Sequence, residues 1–128
     1  MRALLDTHAF LWATADVPRL SARARDVIED GANDIVFSAA SAYEIVWKAA
    51  RGRLDLPEPA ETYLHDRLER LAFEPLPVSV RHAVRAAALP HLHADPWDRL
   101  LVAQARDERI PLITADPMIK RFDVEVLW

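Results

Sequence analysis

The sequence predicts an α/β domain built on one short, mostly parallel sheet with helices covering both faces. Three observations carry that expectation. Short apolar runs alternate with longer stretches of helical periodicity, the order that βαβ crossovers impose. The apolar runs lack polar alternation, as strands buried on both faces require. The chain has 128 residues, 52% hydrophobic and 28% charged, enough for one core and too apolar for a disordered segment. No internal repeat, low-complexity stretch or linker divides it, so residues 1–128 are expected to form a single domain.

The elements follow in order. Arg2 to Asp6 is an apolar run ending in an acid, a candidate buried strand, and Thr7 to Ala15 reads as a short helix that Pro18 breaks. Ser21 is a good N-cap for a helix through about Asp30, with Leu20, Ala24, Val27 and Ile28 as its buried stripe. Gly31 to Asp34 is a turn, and Ile35 to Phe37 a second strand ending at Ser38. A helix from Ala39 to Arg51 is expected to bury Ala42, Ile45, Val46 and Ala49, with Gly52 placed to stop it. After a proline-bearing loop from Leu54 to Pro59, Ala60 to Ala72 reads as a helix with Leu64, Leu68 and Leu71 inward.

Pro75 and Pro77 make any strand over Phe73 to Val78 irregular or an edge. Ser79 caps a helix expected to bury Val80, Ala83, Val84 and Ala87. Pro90 to Pro96 is a loop, and Trp97 to Arg109 is apolar nearly all round, the mark of a well-covered helix. Pro111 to Thr114 and Asp123 to Leu127 complete the strands.

Composition excludes several chemistries. The chain has no cysteine, which removes disulfides, zinc–thiolate sites and a thiol nucleophile and fits a reducing cytoplasm. Asp6 and His8 sit where a signal peptide would need its apolar centre, and no apolar stretch is long enough to span a bilayer. The net charge of −4 runs against a simple nucleic-acid binder. The 16 basic residues, however, are all arginine except Lys48 and Lys120, and arginine is the better planar donor to phosphate.

The acids carry the functional argument. Ligands of open parallel sheets bind at the carboxyl ends of the strands. Asp6 ends the first strand, and Glu44 lies in the helix after the second. Asp95 and Asp98 flank the start of the Trp97 helix, and Asp116 follows the Thr114 strand. Each has a local explanation. Asp6 and Asp95 suit helix caps, Ser41 and Glu44 have capping-box spacing, Glu44 and Lys48 are an i,i+4 pair, and Asp116-Pro117 starts a turn. Capping, however, does not require the helices to meet. A magnesium or manganese site requires oxygen ligands from several segments at one point. Such an ion lowers the pKa of a bound water and clamps phosphate oxygens during in-line attack.

Four blocks of sequence then resemble a known family. Leu5-Asp6-Thr7-His8-Ala9-Phe10-Leu11-Trp12 is similar to the opening of PIN-domain proteins, especially toxins of the VapC type. Ser38 to Glu44 with Lys48, His93 to Ala105 with its Asp95-Pro96-Trp97-Asp98-Arg99 centre, and Leu112 to Asp116 resemble the blocks that follow, in the same order. The resemblance implies a PIN-like fold and a Mg2+- or Mn2+-dependent endoribonuclease, held in check by a cognate antitoxin and forming a homodimer. It assigns Asp6, Glu44 and Asp98 to the metal-holding triad, Asp116 to a fourth acid and Thr114 to an orienting hydroxyl. Ser41 and Asp95 are kept as supporting residues.

Around these acids, Lys48, Arg51, Arg53 and Arg99 are candidates for RNA-backbone contacts, against the alternative of a solvated charged face. His91 and His93, two apart, suggest a metal pair. Because a magnesium-type site favours oxygen, the expected role is to position the loop or a phosphate. Trp97 is expected in the core, with Trp12 and Trp47 lining an antitoxin groove or a dimer interface. Two rival functions remain in view: a catalytically silent PIN-like RNA- or protein-binding module, and a phosphatase with Asp6 as nucleophile.

Overall fold

Leu4 and Leu5 show how the sheet is built. Adjacent strand residues point to opposite faces, and both are fully buried because both faces are covered. The computed structural model describes residues 1–128 and has five strands and six α-helices. In chain order these are β1 (Arg2–Leu5), α1 (Thr7–Ala15), α2 (Ala22–Glu29), β2 (Asp34–Ser38), α3 (Ala39–Ala50), α4 (Ala60–Arg70), β3 (Glu74–Leu76), α5 (Val80–Ala88), α6 (Pro96–Glu108), β4 (Leu112–Ile113) and β5 (Val126–Leu127). The strand order is β3-β2-β1-β4-β5, and every pairing is parallel. The expected mostly parallel sheet is therefore wholly parallel. β3, with its proline, is an edge strand, as a residue lacking an N–H demands.

Two apolar clusters sandwich the sheet. On one face Ala3, Leu5, Ile35, Phe37, Ile113 and Leu127 pack against Phe10 of α1, Ala24 of α2, Ile45 of α3 and Tyr63 and Leu64 of α4. On the other, Leu4, Val36 and Leu112 meet Ala86 of α5 and Leu101, Val102 and Ala105 of α6. The register aligns Leu5 with both Phe37 and Ile113, so Asp6, Ser38 and Thr114 emerge side by side at the carboxyl edge. β1 lies between β2 and β4 at the point where the chain's direction of travel across the sheet reverses, the place where such sheets bind ligands.

Several expectations need correction. Val80 and Val84 of α5, expected inside, are 83% and 63% exposed, and Ala83 and Ala87 are exposed as well. The helix instead buries His82 and Ala86. His82 satisfies its ring through the Ser79 N–H at 3.1 Å and lies 3.5 Å from Asp107, so a polar side chain goes inward at little cost. In α3, Val46 is exposed whereas Glu44 is buried, and Leu71 lies exposed just beyond the end of α4. The Ser41–Glu44 spacing is not a capping box, because Ser38 caps α3 and Ser41 lies within the helix.

Candidate active site

Each acid is delivered by a separate segment and fixed by local bonds. Asp6 is 4% exposed and is the N-cap of α1; its Oδ1 accepts the Ala9 N–H at 2.7 Å. Its Oδ2 accepts the hydroxyl of Thr114, which stands at the end of the neighbouring strand. The same hydroxyl accepts the Asp116 N–H at 3.0 Å, so Thr114 ties the first acid to the segment that carries the fourth. Burial pushes the Asp6 carboxyl up from its usual value and the nearby Asp116 adds to this, while the bonds from Thr114 and Ala9 oppose it.

Glu44 is 3% exposed on the inner side of α3. Its Oε1 accepts the hydroxyl of Thr7 at 2.6 Å, and Oε2 pairs with Lys48 one turn on. The Thr7 hydroxyl also lies 3.0 Å from that of Ser41, which gives the supporting serine a contact at the site. Thr7 was not assigned a role from the sequence; its signal was its place immediately after the first acid.

Asp98 stands in the first turn of α6, with Asp95 as the N-cap accepting its backbone N–H at 3.0 Å. The Asp98 carboxyl is pushed up to about 7, by burial first and then by the charges of Asp95, Glu44 and Asp6, with His93 opposing. Asp98 thus senses acids from two other segments, and Asp6 in turn senses Asp116 of the fourth. Asp116 directs Oδ1 to the Met118 N–H at 2.8 Å, and its Oδ2 lies 3.8 Å from His93 Nε2.

The tightest cluster differs from the expected acid set. Ligating atoms of His93, Asp98 and Asp116 all lie within 4.8 Å of one another, and Asp6 and Glu44 do not belong to that group.

The expected RNA-contacting cations divide. Arg99 is committed to the fold: its guanidinium donates to the carbonyls of Ala86, Ala87, Leu89, Pro90 and His93. That is a correction, since a fork spent on five carbonyls positions a loop rather than a phosphate. Arg51 and Arg53 are exposed and lie over the Trp47 ring at 3.8 and 5.5 Å, and Lys48 lies 5.5 Å from the Trp97 ring centre. Trp97 is only partly buried and joins Tyr43 and Trp47 in an aromatic patch beside the acids. Trp12 packs instead on Trp128, away from that patch.

The donor set suits a hard divalent cation. It offers carboxylate oxygens from four segments, and beyond the effect of burial the neighbouring acids add to the upward push on the Asp98 carboxyl. No buried side-chain nitrogen or oxygen lacks a hydrogen-bond partner, so the acids are oriented before any ligand arrives.

Residues 3–125 match the PIN domain family. The chain belongs to that family. Among PIN-domain relatives, Ribonuclease VapC22 of Mycobacterium tuberculosis is 34% identical over 118 residues, spanning 91% of this chain and 88% of that protein. Ribonuclease VapC16 of the same organism is 39% identical over 85 residues, 62% of this chain and 60% of that protein. VapBC2 from Rickettsia felis, solved bound to a promoter DNA fragment, superposes with a TM-score of 0.73 at 17% identity, over 98% of this chain and 97% of that one. VapBC-5 from M. tuberculosis, a toxin–antitoxin family member, gives 0.62 at 22% identity, over 98% and 96%. These two likenesses support the PIN fold read from the sheet order. No helix of this PIN domain is long and apolar enough to cross a membrane.

Proposed function

We propose that the chain is a divalent-metal-dependent endoribonuclease and the toxin of a toxin–antitoxin pair. The observation that carries the chemistry is the delivery of Asp6, Glu44, Asp98 and Asp116 to one edge of the sheet, with the Asp98 carboxyl raised by burial and then by its acidic neighbours. The similarity to Ribonuclease VapC22 over nine-tenths of the chain motivates the substrate class. VapBC structures with the same fold motivate a cognate antitoxin as partner, and a homodimer remains part of the reading.

In this reading Asp6, Glu44, Asp98 and Asp116 hold Mg2+ or Mn2+. When bound, the ion supplies an activated water and stabilises charge on the departing phosphate oxygen. The chain's residues do the positioning. Thr114 keeps Asp6 turned toward the site, and Thr7 with Ser41 does the same for Glu44. Lys48, paired with Glu44, brings a cation to the rim where a backbone phosphate approaches, and Arg51 and Arg53 extend that charge along α3 and beyond its end. The phosphatase reading loses ground here, because both Asp6 oxygens are engaged and the side chain is buried, which poorly suits a nucleophile.

The test is cleavage of a panel of structured RNAs by antitoxin-free protein with Mg2+, with Mn2+ and with EDTA, beside Asp98→Asn. Metal-dependent cutting by wild type and at least a roughly hundredfold loss in the variant are expected, as for removal of a group that stabilises developing charge. Equal cutting by both proteins, or cutting undiminished in EDTA, would overturn the assignment.

A further inference from the structure

We propose that His93 is a nitrogen ligand of the site, forming with Asp98 and Asp116 a mixed imidazole–carboxylate position that favours a transition-metal ion over magnesium. The inference rests on the metal-dependent reading above and adds to it both a residue and a metal preference. His93 Nε2 lies 2.8 Å from Asp98 Oδ2 and 3.8 Å from Asp116 Oδ2. Two donors on one ion at about 2.1 Å stand roughly 3 Å apart at a right angle and roughly 3.5 Å apart at a tetrahedral angle. Those two separations bracket these edges and the Asp98–Asp116 pair lies within 4.8 Å, so side-chain adjustment brings all three atoms within reach of a single ion.

The three groups are also held from behind. Asp116 spends Oδ1 on the Met118 N–H, which turns Oδ2 toward the imidazole. Asp98 is fixed by its place in the first turn of α6, with its N–H on the Asp95 cap. His93 sits in the loop before α6, where Arg99 donates to its carbonyl at 3.2 Å and to those of Leu89 and Pro90. The arginine that was expected to face RNA therefore fixes the backbone that presents the imidazole. Asp6 and Glu44, turned to Thr114 and Thr7, border this position without belonging to the trio.

Donor chemistry sets the preference. Magnesium takes oxygen ligands almost exclusively, whereas imidazole suits first-row transition ions, and divalent manganese accepts either. A site of carboxylates alone would not distinguish the two ions in this way.

Manganese itself is the probe. Pulsed electron paramagnetic resonance of the full chain loaded with Mn2+ is expected to show 14N coupling from a coordinated imidazole. The coupling should persist in His91→Ala, which alters the exposed histidine of the same loop, and vanish in His93→Gln. Calorimetry on His93→Gln should show Mn2+ affinity reduced by about tenfold or more, with Mg2+ affinity changed by no more than about twofold. Bound Mn2+ without nitrogen coupling in wild type overturns the ligand assignment and makes His93 a counter-charge to Asp98, leaving the nuclease reading intact. Coupling that survives in His93→Gln overturns it too, as does failure of wild type to bind Mn2+, and only failure to bind Mg2+ as well overturns the metal-dependent reading beneath it. Absence of coupling in the wild-type spectrum overturns the assignment even if a variant folds poorly.

Discussion

Asp98 is the residue at which burial and like charge act together most strongly. Its folded carboxyl titrates near 7 against an ordinary value of 3.8, so the folded chain binds this proton more tightly than the unfolded chain. The sign follows from linkage: stability falls with rising pH wherever the native state holds more protons. The contribution is fully present below about 4 and is lost as pH climbs through 7, a swing on the order of 4 kcal/mol at most. In EDTA, Asp98→Asn should therefore melt above wild type at pH 8, and the gap should close by pH 4. Parallel melting curves for the two proteins across that range would refute it. Much of this site was legible in the sequence, because an acid after a strand and an acid at a helix start have few places to go in a parallel sheet. Thr7 and His93 were less legible. A hydroxyl beside a candidate acid has adjacency as its one signal, and the reach of His93 to Asp116 depends on a loop whose path sequence periodicity does not describe.

Among the elements, α6 and its preceding loop show how a single side chain can set a segment. The loop from Leu89 to Asp95 has little regular structure, and the Arg99 fork ties its carbonyls at Leu89, Pro90 and His93 to the last turn of α5. Lysine keeps the charge but cannot fork, so Arg99→Lys should cost about 2 kcal/mol in urea unfolding. A cost within error of zero would mean that solvent replaces the arginine freely. Helix positions were readable from Ser21, Ser79 and Asp95 as caps, and all three accept the expected backbone N–H. The inward face of α5 was not readable. Val80 and Val84 form the more apolar stripe, yet α5 docks on α6 through Ala86 and the hydrogen-bonded His82. A residue-by-residue hydrophobicity pattern does not count an imidazole whose polar atoms are satisfied on burial, and it cannot detect the close approach that a small alanine allows.

At the scale of the whole molecule, the site joins parts of the chain that the sheet keeps on opposite sides of β1. Glu44 follows β2 on one side, Asp116 follows β4 on the other, and Asp6 ends the central strand between them. An ion held by these acids links both halves and offsets the burial and the repulsion that raise the Asp98 carboxyl, so it stabilises the folded chain as a unit. Linkage sets the size: at a hundred times its dissociation constant a ligand adds about 2.7 kcal/mol. For a domain of this length that is a rise in Tm on the order of 10 °C. Calorimetric melts at pH 8 should show this rise with Mn2+ or Mg2+, reversed by EDTA. The shift should shrink in Asp6→Asn, Glu44→Gln and Asp98→Asn alike, because each removes a ligand from a different segment. A full shift retained in Glu44→Gln would confine the ion to the Asp98–Asp116 side, and the two halves would then be joined by the core alone.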